Sequence, residues 1–298
     1  MSRAFIGTSG WVYKGWREHL YADAPVRRWL EIASSTFTAL EINGSFYTQI
    51  KRETYEKWRR ETPADFRFAL KGHRFVTHYK RLRSCRDSVV LLRDQAAGLG
   101  DKLAAVVWQL PSSFQANLER LDDFLGALEA WPSARHSLEL RHRSWFVPEV
   151  ADRLREARVA VCMSDAPDFP LWHEVTTDLV YVRLHGHTRK YASSYSLPLL
   201  EKWRADIERW LDEGREVHVY FDNDAEGHAV RDAQRLIALV DGSPLPARRV
   251  AVRSGLAISG SSRGEPWRRR TAPSIDRAPS ARRSTARTKG RARRPSGR

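Results

Sequence analysis

Short apolar runs recur eight times along this chain, and most of them are followed by a stretch with helical spacing. That alternation constrains the fold more than any other feature. A strand followed by a helix, repeated, builds a parallel sheet, because parallel neighbours need a crossover that a helix supplies. The runs predict strands near Ala4–Thr8, Phe37–Ile42, Phe66–Lys71, Ala104–Leu110, His136–Arg141, Val159–Ser164, Leu179–His185 and Glu216–Phe221. Helices are expected over Val26–Ser35, Arg52–Glu61, Arg86–Gly98, Leu118–Ala130, Pro148–Ala157, Pro198–Glu213 and Ala225–Val240. Pro148 and Pro198 suit a first helical turn, where the missing N–H costs nothing. The link from Asp165 to Asp178 carries two prolines and reads as an irregular loop. Eight units ending near Val240 match a (β/α)8 TIM-type barrel of about 250 residues. The rival, an open doubly wound sheet, usually places a Gly-rich phosphate loop after its first strand. Here "GTSGWVYKGW" follows instead; its glycines do not fit GxGxxG, and its aromatics suit a pocket wall better.

The formal net charge of +15 resembles that of a nucleic-acid-binding protein until the charge is located. Residues 248–298 hold 16 Lys+Arg and two acids, leaving 35 basic and 34 acidic residues elsewhere. The body is therefore near neutral. The expected division is a barrel over 1–243 and a disordered Arg/Ser/Pro-rich tail over 244–298, which has too few apolar residues to offset the entropy of ordering. Residues 248–298 are expected to act as a solubilising extension or to touch nucleic acid or another polyanion non-specifically. Two distant cysteines, Cys85 and Cys162, form no metal or redox spacing. With no signal-peptide core and no apolar run of about 20 residues, the expectation is a cytoplasmic protein without a membrane segment.

Side chains two apart in a strand share a face. This places Glu41 with Asn43, Glu139 with Arg141, Arg183 with His185, and His218 with Tyr220 and Asp222. The third strand ends at Lys71, and the fourth carries Gln109. In each case the alternate face is apolar, and the polar residues gather towards the C-terminal ends, where such barrels place active sites. A shared pocket of opposite charges is the economical reading, since unpaired buried charge is costly.

At these positions the chain resembles a known family. "FIGTSGWVYKGW", "TALEINGSFYTQI", "FRFALKGHRFVTH", "VVWQLPSSF", "LELRHRSW", "YVRLHG" and "VYFDNDAEGHAVRDA" look like the motifs of the YecE-like family, also called domain of unknown function 72. The match runs in order from Phe5 to about Leu239 and leaves out the basic tail. The resemblance implies a TIM-barrel fold and leaves the reaction open. It implies that Gly7, Ser9, Gly10, Trp11, Tyr13 and Trp16 belong to the first motif, and Glu41, Asn43, Phe46 and Tyr47 to the second. Glu139, Arg141 and Trp145 carry the fifth, Arg183, His185 and Gly186 the seventh, and Phe221, Asn223 and Ala229 the last.

The chemistry these residues suit is that of a hydrolase or isomerase acting on a polar, anionic or sugar-like substrate. Lys71, Arg141 and Arg183 are expected to hold phosphate or carboxylate. Glu41, Glu139, His185 and Asp222 are the candidate proton carriers. Asn43, Gln109 and Asn223 are further binding candidates, and Trp11, Tyr47 and Trp145 are expected to form an apolar wall. A glycosidase would use Glu41 and Glu139 as its pair, with their separation setting the stereochemistry. No cofactor is expected. A divalent metal on Glu41, Glu139, His185 and Asp222 is a minority alternative, opposed by the nearby cations and by the lack of HxH or HExxH spacing. A ligand- or nucleic-acid-binding protein without chemistry is the alternative from another class. His73, His78 and His228 are read as loop or helix-end residues, Ser9 as no nucleophile, and Trp29, Trp58, Trp203 and Trp210 as core aromatics.

Overall fold

A computed structural model describes residues 3–246. The expectations for the basic tail, its disorder and its polyanion contacts, lie outside these residues apart from 244–246. Eight parallel strands close into a barrel in sequence order: β1 (Ala4–Ser9), β2 (Ala39–Ile42), β3 (Arg67–Lys71), β4 (Leu103–Gln109), β5 (His136–Glu139), β6 (Val159–Asp165), β7 (Leu179–Leu184) and β8 (Glu216–Phe221). The seam closes through β1 and β8, with Gly7 opposite Tyr220. The helices are α1 (Trp29–Thr36), α2 (Gly44–Tyr47), α3 (Arg52–Arg60), α4 (Arg86–Ala96), α5 (Leu118–Leu128), α6 (Pro148–Glu156), α7 (Leu197–Asp212) and α8 (His228–Asp241). This is a TIM-type (β/α)8 barrel. The β6–β7 link contains no helix, as its prolines foretold. The short α2 and the 3₁₀ and π turns over Lys14–Tyr21 carry no clear periodic signal and were not expected. None of the described helices is long and apolar enough to cross a membrane.

The period-2 pattern separates two apolar layers. Ile6, Leu40, Phe68, Val106, Leu138 and Val182 face outward and join helix residues such as Trp29, Tyr55, Phe124 and Trp210. The expected core tryptophans all lie in this outer layer, with Trp58 only partly buried. The inward layer is different: Ala39, Ala69, Ala105 and Ala160 leave room that Tyr181 and Tyr220 fill. His218 closes the floor, stacked on Phe5 at 4.8 Å and bonded to Glu216 and Tyr220 at 2.9 Å each. Gly7 sits against the backbone of Ala39 on β2. A Cβ there would lie 1.7 Å from the Ala39 carbonyl oxygen, so no larger residue fits without moving a strand.

Candidate functional site

The inward side chains of the last strand layer form one connected ion network. Arg183, fully buried on β7, lies at its centre. Its Nε and Nη2 donate to Glu41 Oε2 at 3.1 Å and Oε1 at 2.7 Å, while Nη1 donates to Glu139 Oε2 at 2.8 Å. Nη2 also donates to Asp222 Oδ2 at 3.0 Å and to Ser9 Oγ at 3.1 Å. One planar fork thus joins carboxylates from β2 and β5 and the residue after β8. A buried guanidinium is tolerable only when its donors are met in this way. Burial opposes the charge on Arg183, but Glu41, Glu139 and Asp222 outweigh it and raise its pKa.

The carboxylates are as fully engaged. Glu41 accepts from Ser9 Oγ at 2.5 Å and Tyr181 OH at 2.6 Å, besides Arg183. Glu139 Oε1 accepts from Arg141 Nε at 2.7 Å and Ser164 Oγ at 2.9 Å. Burial alone would push Glu139 and Asp222 up. For Glu139, Arg141 and Arg183 prevail, and for Asp222, Arg183 with His185 and Lys71, so both groups stay well below the usual carboxylate range. His185 lies among them, its Nε2 3.0 Å from Ser164 Oγ and its Nδ1 2.9 Å from Asp222 Oδ2. The rings of Phe169 and Tyr191 cover it edge-on, at 5.5 and 5.6 Å.

Above this network the mouth is less committed. Lys71 Nζ lies 4.4 Å from the centre of the Phe46 ring and has no hydrogen-bond or ion-pair partner among the described residues. Burial, then the Arg183 charge, lower its pKa to about 8. Arg141 spends Nε and Nη2 on Glu139 and stacks its guanidinium 4.6 Å from the Phe169 ring, leaving Nη1 unspent. Asp224, two residues beyond Asp222, is pushed up to about 8 by burial and by the Asp222 charge, so it is protonated at neutral pH. Its Oδ1 is buried without a partner among the described residues. Tyr13 donates to the Ser9 carbonyl at 2.7 Å nearby, its pKa raised by burial and by Asp224. His78 is pulled down to about 4 by burial and by the Lys71 and Arg141 charges, so it is neutral.

The family described as "Protein of unknown function DUF72" matches residues 5–251. The chain belongs to the DUF72 family. UPF0759 protein YunF of Bacillus subtilis (strain 168) is 25% identical over 269 residues, 80% of this chain and 94% of YunF. UPF0759 protein YecE of Escherichia coli (strain K12) is 30% identical over 118 residues, 39% of this chain and 43% of YecE. A DUF72 family protein from Thermotoga maritima MSB8 superimposes with a TM-score of 0.72 at 25% identity, over 80% of this chain and 99% of that one. Another, from Enterococcus faecalis V583, gives 0.71 at 18% identity, over 83% and 100%.

In this DUF72 chain the barrel gathers Glu41, Lys71, Gln109, Glu139, Arg141, Arg183, His185 and Asp222 at one end, all at least nine-tenths buried as side chains or residues. Asn43 is half-buried beside them. Four of the expected residues are placed elsewhere. Trp145 is fully buried, its Nε1 donating to the Phe114 carbonyl at 2.7 Å, because the turn after β5 carries it outward into the helix layer. Trp11 packs in the same layer against Trp58 at 5.1 Å. Tyr47 is 62% exposed, and Phe46 takes the aromatic place beside Lys71. Asn223 is a brace: its Nδ2 donates to Ser193 O at 2.8 Å and Asp232 Oδ2 at 2.9 Å. A proton-carrying role also does not fit Glu41, whose two oxygens accept four donors. Nor do the carboxylates suit a metal, since the Arg183 fork already fills the space between them. Among the described residues no group of three or more His, Cys, Asp or Glu is arranged to hold a metal ion.

Asp224 and Phe169 escaped the sequence reading. Asp224 lies in the turn after β8, where strand parity no longer sets direction. Phe169 lies in an irregular link, where direction has no period. Asp232 was also missed. It is fully buried on α8 and accepts from Ser194 Oγ at 2.7 Å and Tyr195 N at 2.9 Å as well as from Asn223, tying the β7 and β8 loops to one helix. Asp232→Ala should cost about 2–3 kcal/mol by leaving these buried donors unpaired. Hydrogen exchange should then quicken at Gly186–Ser196 and not in α5; unchanged exchange there would show that the brace is dispensable.

Proposed function

We propose that this protein is an enzyme that takes a small anionic or sugar-like substrate into the C-terminal mouth of its barrel and works on it by proton transfer. Isomerase-type chemistry fits better than glycoside hydrolysis, because the carboxylate pair a glycosidase would use, Glu41 and Glu139, is spent on Arg183 and Arg141. The observation that carries the reading is the contrast between the two layers. Below, every charge is matched; above, Lys71 and one nitrogen of Arg141 have no partner among the described residues. Lys71 and Asp224 both titrate near 8, where a group can both give and take a proton at working pH. Two buried, free thiols, Cys85 and Cys162, support a reducing, cytoplasmic setting.

The test is a panel of phosphorylated and carboxylated metabolites screened by thermal shift. Compounds that raise Tm in the wild type should lose their effect in Lys71→Met and in Arg141→Met. Hits incubated in D2O should then exchange a C–H with solvent, at least tenfold more slowly in Asp224→Asn. Stabilisation that survives both cation variants would put binding elsewhere and defeat the reading. A second reading, ligand capture without chemistry, draws on the full engagement of Glu41 and Glu139. It predicts the same thermal shifts with no exchange.

A further inference from the structure

We propose that Lys71 is a nucleophile that captures the carbonyl carbon of an anionic aldehyde or ketone as an imine, with Arg141 receiving the anionic group. This rests on the mouth being the substrate site and goes further by naming the substrate class and the bond formed.

The geometry separates Lys71 from every other cation of the site. Arg183 is buried beneath five acceptor contacts and cannot leave them. Arg141 is pinned to Glu139 and to the Phe169 face, with only Nη1 to offer. Lys71 closes β3 and is fixed at its backbone, its carbonyl accepting from Ser45 Oγ at 2.7 Å. Its stem is buried, and among the described residues its amine meets the π face of Phe46 and no hydrogen-bond or ion-pair partner. An amine that has given no hydrogen bond to a carboxylate keeps its nitrogen lone pair within reach on losing a proton. The burial that lowers its pKa to about 8 leaves an appreciable fraction in that neutral form at neutral pH, as nucleophilic lysines require. By contrast Lys102, also buried, gives its three protons to Arg59 O, Thr62 O and Thr62 Oγ1 and is a strut.

The step balances without an outside oxidant or reductant. Lys71 as ammonium loses one proton to solvent, and its nitrogen pair forms a C–N bond to the carbonyl carbon. The C=O π pair moves to oxygen, which takes the second nitrogen proton, giving a carbinolamine. The hydroxyl then leaves as water with a proton from solvent, while the remaining nitrogen pair closes the C=N bond. The net change is ammonium plus carbonyl to iminium plus water. The iminium withdraws electrons from the adjacent carbon and so acidifies its C–H, which fits the proton-transfer chemistry of the mouth.

The full chain incubated with glyoxylate and, separately, pyruvate in the presence of cyanoborohydride tests this. The hydride reduces the C=N bond to a stable secondary amine, which peptide mass mapping can locate. The expected result is an adduct on Lys71 formed at least tenfold faster than on Lys14 or Lys51, and absent from Lys71→Arg. Its rate should rise as pH approaches 8 and the amine loses its proton, then fall at higher pH as the iminium that the hydride reduces is lost, a profile read on the wild type alone and independent of whether the variant folds. Two outcomes overturn it differently. If anions still stabilise the protein through Lys71 and Arg141 but label falls evenly on surface lysines, the imine is wrong and the binding site stands. If Lys71 stays unlabelled and no anion stabilises the protein, both inferences fail.

Discussion

Replacing Arg183 by methionine should destabilise the protein by about 3–5 kcal/mol at neutral pH, the expected loss when one member of a buried ion network is removed. The cost follows from what is left behind. Glu41, Glu139 and Asp222 converge on this guanidinium from three strand ends, with exposures of 0%, 0% and 6%. Methionine matches much of the stem but supplies none of the five donated contacts. Three carboxylates would then share a closed space with Arg141, His185 and the hydroxyls of Ser9, Ser164 and Tyr181 as their remaining partners. The pH dependence distinguishes this from loss of packing. Glu139 and Asp222 are held well below their ordinary 4.5 and 3.8. Groups depressed in this way contribute stability that is complete above those values and drains away as pH falls towards their folded pKa. Much of that contribution is absent from the variant. The difference between wild type and Arg183→Met in urea unfolding should therefore be widest above about pH 5 and shrink below about pH 4. A difference independent of pH would show that Arg183 acts as filler.

Lys71→Met should do the opposite and stabilise the protein. Its folded pKa of about 8 lies below the ordinary 10.5. A base depressed on folding costs nothing above its unfolded pKa; the cost grows as pH falls through the window between the two values and is complete below about 8. Methionine keeps the apolar stem against Phe46 and removes the charge. The expected gain is about 3 kcal/mol at pH 7, closing to near zero as pH approaches 10.5. The same variant should lose ligand-dependent thermal shifts. Greater stability with lost function is the signature of a group retained for chemistry. A destabilised Lys71→Met at pH 7 would show that the amine is paired in solution and would remove the basis for its assigned role.

The strand-end reading reached as far as strand periodicity extends. Glu41, Glu139, Arg183 and Asp222 all obey the two-residue rule, and all point inward. Arg141 and His185 lie just past the last ladder residues of β5 and β7 and still follow the rule, because the chain stays extended for a step. Trp145 and Tyr47 lie beyond that step, inside short helical turns, where parity no longer sets direction. The engagement of Glu41 was not legible either. Its partner Arg183 is 142 residues away and meets it only when the barrel closes. Glu41 and Lys71 are both charged strand-end residues, yet one is saturated and the other unpaired. Only the three-dimensional count of donors and acceptors separates a strut from a reagent.

The helix-free link between β6 and β7 has a consequence for how such proteins diversify. Its Phe169 covers Arg141 and His185 yet belongs to no layer of the framework, while Thr176, further along, ties the link to β6. The ion network beneath is written in strand residues and the one or two positions just past them. Selectivity and scaffold are thus encoded in separate stretches of chain. Grafting the 166–170 segment from another family member should exchange the preferred ligand while sparing the Thr176 bonds to β6 and so the melting behaviour of the barrel.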